Sequence, residues 1–236
     1  MVARHLKRLA GALPAPWQHA LRRTFFARQI RRRRFATDEK EFGLLDTMLR
    51  PGDWALDIGA NVGHYTMRMS ELVASSGRVV ALEPVPDTFA LLAANCRLFR
   101  HQNVSLMNVA ASDRVAAVGI QIPRFSDGLT NFYQARLSPN TEGLPVLTLP
   151  VDALALPPVR LVKIDVEGHE LPVLRGMRAL LARDHPIVIV ETDSQTTIQL
   201  LEELGYSVRR LPGSSNVLGR HAALADAASA VSGTPV

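Results

Sequence analysis

The chain has 236 residues, of which 47% are hydrophobic and 21% charged, a balance typical of one globular α/β domain with a short extension. No apolar run reaches the roughly 18 residues of a membrane span, and the N-terminus lacks the pattern of a secretory signal. A single cysteine, Cys96, excludes a disulfide framework and favours a reducing compartment, so we expect a cytoplasmic protein.

The net charge of +5 is unevenly distributed along the chain. Residues 1–34 hold ten Lys or Arg and no acid, which leaves 17 basic and 22 acidic residues for the remainder. We expect a basic helical arm over residues 1–50, broken by Pro14 and Pro16 and acting mainly as a packing helix with a solvated basic face. Contact with an anionic membrane surface or with nucleic acid is the alternative role of residues 1–34. The helical pattern rests on apolar residues at three- and four-residue steps: Leu6, Leu9, Leu13, Trp17, Leu21 and Phe25.

Beyond a predicted helix over residues 38–49, strands and helices alternate in a domain spanning residues 51–220. This order predicts a doubly wound, mostly parallel sheet. Residues 114–150 interrupt it with strand-like pieces at 115–122 and 146–151 and a turn at 126–128, which predicts an inserted β excursion that covers a site. Residues 221–236, mostly small, are expected to form a disordered tail. The predicted strands are 54–58, 78–83, 104–109, 160–165, 186–191, 206–211 and about 216–218, and the helices are 64–74, 87–99, 171–182 and 195–204.

A glycine-containing loop follows the first of these strands. The strand ends at Asp57, and Gly59, Asn61 and Gly63 then alternate before a helix, an arrangement typical of nucleotide-like ligands. The two glycines allow close approach of the backbone, and Asn61 carries the side chain that best tolerates positive φ. Glu83, twenty residues beyond Gly63 at the end of the next strand, is placed to bind ribose hydroxyls.

Acidic residues follow several of the predicted strands at their carboxyl ends, where ligands of such sheets bind. This crowding of negative charge favours a cationic ligand or a metal. A sulfonium cofactor fits such a field and a dinucleotide pyrophosphate does not, and Thr66 stands where a dinucleotide loop would carry its last glycine. A methyltransferase is therefore favoured over a nicotinamide dehydrogenase. The residues at these ends are Asp57, Glu83, Ser112, Asp113, Asp165, Glu167, His169, Glu191 and Asp193.

Several stretches resemble the FkbM family of S-adenosylmethionine-dependent methyltransferases, in the same order, over about residues 53–220. They are LDIGANVGHYT, the Glu83-Pro84 pair, NVAASD at 108–113, VKIDVEGHELPVLRG at 162–176 and PIVIVE at 186–191. The resemblance implies a class I methyltransferase fold, Rossmann-like with a seven-stranded sheet, and O-methylation with S-adenosylmethionine as cofactor. By position it implies a cofactor loop of Asp57, Gly59, Asn61 and Gly63, a ribose contact at Glu83 and adenine contacts at Ser112 and Asp113. No motif aligns within residues 114–150, where we expect acceptor specificity to reside.

The residues after the fourth predicted strand favour a hydroxyl acceptor. Asp165-Val166-Glu167 stands where amino-group methyltransferases carry Asn/Asp-Pro-Pro-Tyr. Methylation of a pyrimidine ring carbon needs a nucleophilic cysteine, and Cys96 lies in a predicted helix away from the strand ends. A hydroxyl acceptor must lose its proton, and Asp165 and His169 are the candidate bases, with Glu167 beside them. Alternatively, Asp165 and Glu167 together with either Glu191 or Asp193 would hold a Mg²⁺ that acidifies the hydroxyl, with Asp165 and Glu191 as the main candidate ligands. Lys163, within the strand, would instead simply neutralise that cluster.

We therefore expect an S-adenosylmethionine-dependent O-methyltransferase that acts on a hydroxyl of a sugar, glycan or natural-product acceptor. The main alternative is an RNA methyltransferase whose arginine-rich arm contacts phosphates, and nucleic acid is the less favoured partner. A catalytically inactive binding module is disfavoured because every expected cofactor position is filled.

Overall fold

The structure is a computed structural model that describes residues 14–123, 135–138 and 142–223. The predicted turn at 126–128, the apolar positions Leu6, Leu9 and Leu13, and residues 224–236 of the predicted tail lie outside these ranges. None of the helices in these ranges has the length and hydrophobicity of a membrane-spanning segment.

Eleven strands and seven α-helices make up the described chain. The strands are β1 Trp54–Ile58, β2 Arg78–Leu82, β3 Val104–Met107, β4 Ala110–Ala111, β5 Ala116–Gln121, β6 Arg136–Ser138, β7 Leu144–Leu149, β8 Leu161–Ile164, β9 Ile187–Glu191, β10 Tyr206–Arg210 and β11 Asn216–His221. The helices are α1 Ala15–Arg31, α2 Lys40–Met48, α3 His64–Val73, α4 Pro86–Cys96, α5 Glu170–Arg175, α6 Arg178–Asp184 and α7 Gln195–Glu203.

A seven-stranded sheet with the order β3-β2-β1-β8-β9-β11-β10 forms the centre of the fold. Strand β11 runs antiparallel to both of its neighbours, and the other strands are parallel. The central strands β1 and β8 are largely buried and, apart from Asp57 and Lys163, apolar, as expected for strands covered on both faces. The predicted doubly wound, mostly parallel sheet is confirmed.

Helices cover both faces of this sheet and bury its side chains. On one face α5, α6 and α7 pack on the sheet through Leu174, Leu181 and Leu201. On the other, α2 and α3 contribute Leu45 and Met69. The carboxyl ends of the parallel strands are left uncovered by these helices, and the candidate site lies there.

The predicted β excursion is also confirmed, as a second sheet with the order β4-β7-β5-β6. Its strand β4 is parallel to β7, and β5 is antiparallel to both β6 and β7. Ile120 and Val146 of this sheet pack against Val85, which follows β2. The second sheet is thereby fixed beside the carboxyl end of the first.

The structure differs from the sequence prediction at one helix and at the third strand. The single helix predicted over 171–182 is divided into α5 and α6 at Gly176, where a Cβ atom would lie 1.8 Å from the carbonyl oxygen of Ser112. This close backbone contact bends the chain where the apolar pattern alone predicts continuity. The third strand, predicted to reach Val109, ends at Met107, opposite the last residue of its partner β2, and the Asn108 side chain donates to the backbone carbonyls of Glu83 and Pro84.

Helix α1 belongs to the predicted arm and packs against the body of the protein. It begins next to Pro16, as expected for a residue that lacks the N–H group of a helix interior. Phe26 and Ile30 are buried with Phe35 against α4. Trp17 and Phe25 remain exposed, so the helix has an apolar inner face and a partly apolar outer face.

Candidate active site

The glycine-containing loop lies between β1 and α3. Gly59, Asn61 and Gly63 all have positive φ, of 82°, 49° and 98°. A Cβ atom on Gly59 would lie 1.8 Å from the carbonyl oxygen of Asp165, so only glycine permits the contact between these two strand ends. The prediction that Asn61 adopts positive φ is confirmed.

Asp57 links the two elements on either side of this loop, β1 and α3. Its carboxylate is buried and accepts a hydrogen bond from the Thr66 hydroxyl in the first turn of α3. Burial raises the pKa of Asp57 to about 6. The hydrogen bond from Thr66 and the charge of Lys163 lower this pKa but do not cancel the effect of burial. The side chain joins the strand to the helix and does not line the cavities described below.

Glu83 lies at the carboxyl end of β2 with its carboxylate buried beside the loop. Its two oxygens accept hydrogen bonds from the backbone N–H groups of Asn61 and Val85, both at 2.9 Å. Burial nevertheless raises the pKa of Glu83 to about 7. Glu83 therefore holds the backbone of the loop in place and also lines a cavity as a hydrogen-bond acceptor.

We call this cavity, of about 210 Å³, the Glu83 cavity. One wall is apolar, with Val85, Val109, Ile120 and Leu137 contributed by both sheets and the segments beside them. The other end is polar. It is lined by Asp165, Glu167, His169 and Glu191, and Gly59 and Asn61 of the loop also line the cavity.

A second cavity, of about 500 Å³, lies beyond the polar end, and we call it the Ser194 cavity. Asp165, Glu167 and Glu191 line both cavities and so form a shared wall. The remaining lining is rich in hydroxyl groups. It includes Arg136, Leu171, Thr192, Ser194, Thr197 and Ser215.

The shared wall concentrates negative charge around one buried cation. Burial raises the pKa of Glu167 and of Glu191, and the charge of Asp165 raises both further. The buried Lys163 Nζ lies 3.4 Å from Asp165 Oδ2 and 5.0 Å from the centre of the Tyr65 ring. Glu167 has a φ of 52°, a strained conformation for a residue with a side chain, of the kind found at functional sites.

His169 and Ser112 are brought together beside the Glu83 cavity. The Ser112 Oγ lies 2.9 Å from His169 Nε2, within hydrogen-bond distance. Burial lowers the pKa of His169, which favours the neutral imidazole. Ser112 is buried behind His169 and Asp113 is exposed, and neither lines the Glu83 cavity. Their predicted contact with adenine stays a prediction.

The predicted metal ligands are only partly assembled. Across residues 14–123, 135–138 and 142–223, no group of three or more His, Cys, Asp or Glu side chains is arranged to hold a metal ion. Asp193 points to a different partner, Arg210, whose Nη1 lies 2.9 Å from Asp193 Oδ1. Asp165 and Glu191 remain near each other, with Lys163 beside them.

Glu39 is a residue of the site that no sequence motif predicts. Glu39 lines the Glu83 cavity and accepts a hydrogen bond of 2.6 Å from the Tyr65 hydroxyl. It lies at the start of α2, far from the motifs in the chain, and no spacing rule connects it to them. The nearest sequence signal is Tyr65, the partner of Glu39, which follows Gly63 closely and lies in the first turn of α3.

The family described as Methyltransferase FkbM domain matches residues 57–208. The chain belongs to the FkbM methyltransferase family. The match extends from the end of β1 to β10 and includes the residues that line both cavities except Glu39 and Ser215. It confirms the resemblance seen in the sequence to S-adenosylmethionine-dependent enzymes.

Curated relatives show which proteins the FkbM-family chain is similar to. It is 33% identical over 171 residues to the hexuronic acid methyltransferase AglP of Haloferax volcanii, which covers 64% of this chain and 62% of AglP. It is 36% identical over 64 residues to a protein-L-isoaspartate O-methyltransferase of Methanothrix thermoacetophila, 27% of this chain and 30% of that protein. The chain therefore spans less than two thirds of the length of either relative.

Solved structures agree with the FkbM-family fold. The methyltransferase FkbM of Methylobacillus flagellatus superposes with a TM-score of 0.51 at 13% identity, over 87% of this chain and 59% of that one. A methyltransferase from Geobacter sulfurreducens also has a TM-score of 0.51, at 15% identity, over 93% of this chain and 96% of that one. These likenesses show a shared fold.

Proposed function

We propose that the protein transfers the methyl group of S-adenosylmethionine to a hydroxyl of a sugar or glycan acceptor. The donor would occupy the Glu83 cavity and the acceptor the Ser194 cavity. The observation that carries this proposal is the wall of Asp165, Glu167 and Glu191, which faces both cavities. Reacting groups brought from the two sides would meet at these carboxylates.

The residues at both ends of the Glu83 cavity are chemically suited to S-adenosylmethionine. The Glu83 carboxylate is able to accept hydrogen bonds from the two ribose hydroxyls, and the wall that contains Val85 and Ile120 suits the flat face of a purine. At the opposite end, the charges of Asp165 and Glu167 suit a sulfonium cation. When bound, S-adenosylmethionine supplies an electrophilic methyl group, and the protein supplies position and proton handling.

The Ser194 cavity suits an acceptor with several hydroxyl groups. Carboxylates accept hydrogen bonds from such hydroxyls, the hydroxyls of Thr192 and Ser194 are able to donate and accept, and the Ser215 hydroxyl, which donates to Glu191, is able to accept. The name of AglP, a hexuronic acid methyltransferase, supports a sugar as the acceptor class. Arg136 is the one basic residue among the described residues that line this cavity, and it is placed to pair with a carboxylate on the acceptor.

We assign the removal of the hydroxyl proton to Asp165. Its carboxylate lines both cavities and is held by Lys163 at 3.4 Å. Glu167 and Glu191, whose pKa values burial raises, lie beside it and would share the proton once it is transferred. His169 lines the Glu83 cavity but not the Ser194 cavity, and its ring contacts Ser112. These contacts favour a positioning role for His169.

The carboxylates of the shared wall do not fit the alternative in which Mg²⁺ activates the hydroxyl. The ammonium of Lys163 already lies beside Asp165 and supplies the positive charge that the metal was expected to bring. No step of the proposed reaction passes through a metal, and we expect a chelator to leave methyl transfer unchanged. Loss of activity with chelator, restored by Mg²⁺, would contradict this assignment.

The test is methyl transfer by the full chain from labelled S-adenosylmethionine to a matched pair of glycosides. A glucuronoside has a carboxylate at C6 where a glucoside has a hydroxymethyl group, so their relative rates of methylation at the ring hydroxyls report the role of Arg136. If Arg136 pairs with the carboxylate, Arg136→Gln lowers the preference for the glucuronoside and leaves the glucoside rate near its original value.

The chemical form of the product completes the experiment. Methylation of a hydroxyl gives a base-stable ether, whereas methylation of the carboxylate gives a base-labile ester. An ester as the product would contradict hydroxyl transfer. Binding of NADH without binding of S-adenosylmethionine, measured by calorimetry, would contradict the donor assignment.

A further inference from the structure

The outer face of α1 carries a stripe of large apolar side chains. Trp17, Leu21 and Phe25 are 66%, 49% and 57% exposed. They recur at steps of four residues, which places them on one side of the helix. We call these three residues the α1 stripe.

The α1 stripe is held outward by the opposite face of the same helix. Phe26 and Ile30 lie on the far side from Trp17 and are buried in a cluster that includes Leu92 and Phe99. Phe26 also meets Phe35 edge to face, with ring centres 5.8 Å apart. Because this inner face is anchored, α1 cannot rotate to bury the stripe without exposing the cluster.

The charge of the segment around the stripe is entirely positive. Residues 14–34 contain seven arginines and no acidic residue. Helical spacing places Arg28 and Arg31 on the same side of α1 as the stripe, and three further arginines follow the helix directly. Arginine keeps its charged group at a polar boundary while its alkyl part lies along an apolar surface.

We infer that the α1 stripe and its arginines form a docking surface for an anionic lipid membrane. Apolar residues including Trp and Phe on one face, with arginines at its border, have the composition of a helix that lies in the membrane interface. The arginines fit anionic headgroups by charge. A second copy of this chain would bring arginines against arginines and would be repelled, and an RNA backbone offers no partner for Leu21.

The test is co-sedimentation of the full chain with vesicles of phosphatidylcholine containing about one third phosphatidylglycerol. Trp17→Ala/Leu21→Ala/Phe25→Ala is expected to lower the partition coefficient by at least about tenfold. Raising the salt concentration to about 1 M is expected to release the unmodified protein, because charge attraction is then screened over a few ångströms. Alanine preserves the helix, so the thermal unfolding midpoint should not change.

A matched control removes apolar side chains of similar exposure elsewhere. Val115 and Leu147 are 75% and 58% exposed and belong to the region of the second sheet, and Val115→Ala/Leu147→Ala is expected to bind vesicles like the unmodified protein. Equal loss in both variants would overturn the inference. So would undiminished binding by the stripe variant, or equal binding to pure phosphatidylcholine.

Two further measurements separate a membrane from other partners of the same surface. Light scattering would overturn the inference if it showed a dimer that the stripe variant loses while no vesicle binding occurs. Tight binding of RNA without vesicle binding would overturn it as well. Affinity for S-adenosylmethionine is expected to be the same in the stripe variant and the unmodified protein, so the outcome is independent of the proposed methyl transfer.

Discussion

Replacing Glu83 by glutamine is expected to change the stability of the protein in a way that depends on pH. In the folded protein burial raises the pKa of Glu83 to about 7 from an ordinary value of 4.5. Between about pH 4.5 and 7 the folded protein therefore holds a proton that the unfolded chain has released. The contribution of this group to stability falls as the pH rises through that window and is constant above it.

The size of the effect follows from the pKa difference. At 1.36 kcal/mol per pKa unit, carrying the buried charge costs about 3 kcal/mol above pH 7, and about 2–3 kcal/mol of this accrues between about pH 5 and pH 8.5. Glutamine removes the charge at both pH values. Its amide accepts from only one of the N–H groups of Asn61 and Val85, a loss of about 1 kcal/mol or more that is similar at both.

The measurement is urea unfolding of the unmodified protein and Glu83→Gln at the two pH values, without cofactor. The change in unfolding free energy caused by Glu83→Gln should be more favourable at pH 8.5 than at pH 5 by about 2–3 kcal/mol. Glu203→Gln, on the exposed side of α7, is the control and should be near neutral at both pH values. A pH-independent effect of Glu83→Gln would refute the assignment of a costly buried charge.

Three other variants test the site and the packing of the arm. Asp165→Asn is expected to slow methyl transfer at least about 100-fold while calorimetry shows S-adenosylmethionine affinity within a few-fold, and unchanged turnover would remove Asp165 from the reaction. Asn61→Ala should lower the unfolding free energy by about 1 kcal/mol because of its positive φ, whereas Asn61→Gly should not; equal losses would contradict that cause. Phe35→Ala is expected to cost about 3–5 kcal/mol and the exposed Phe25→Ala less than about 0.5 kcal/mol, and similar costs would contradict their burial.

The features predicted well from the sequence are those fixed by local chemistry. The run from Trp54 to Gly63 has few backbone solutions, because a buried strand must turn sharply before a helix. Asn61 tolerates the positive φ that this turn needs, and its conformation followed from residue type. Alternating apolar strands and helices likewise predicted the parallel sheet without any knowledge of side-chain contacts.

The features that were missed depend on contacts between distant segments. The break at Gly176 arises from the backbone of Ser112, which local helix propensity does not register. Glu39 reaches the cavity because α2 packs beside Tyr65, a contact that spans 26 residues of sequence. In the arm, both faces of α1 are apolar, so the periodic pattern could not show that Phe26 is buried.

The shared wall between the two cavities has a consequence for altering the enzyme. If the two cavities hold donor and acceptor as proposed, a substitution at Glu167 or Glu191 that admits a new acceptor would also change the electric field on the donor side, so selectivity and cofactor affinity would shift together. Leu171 and Thr192 line the Ser194 cavity without lining the Glu83 cavity. A mutant library restricted to such positions would vary acceptor preference while leaving the donor environment intact, and these residues are the natural starting points for directed evolution.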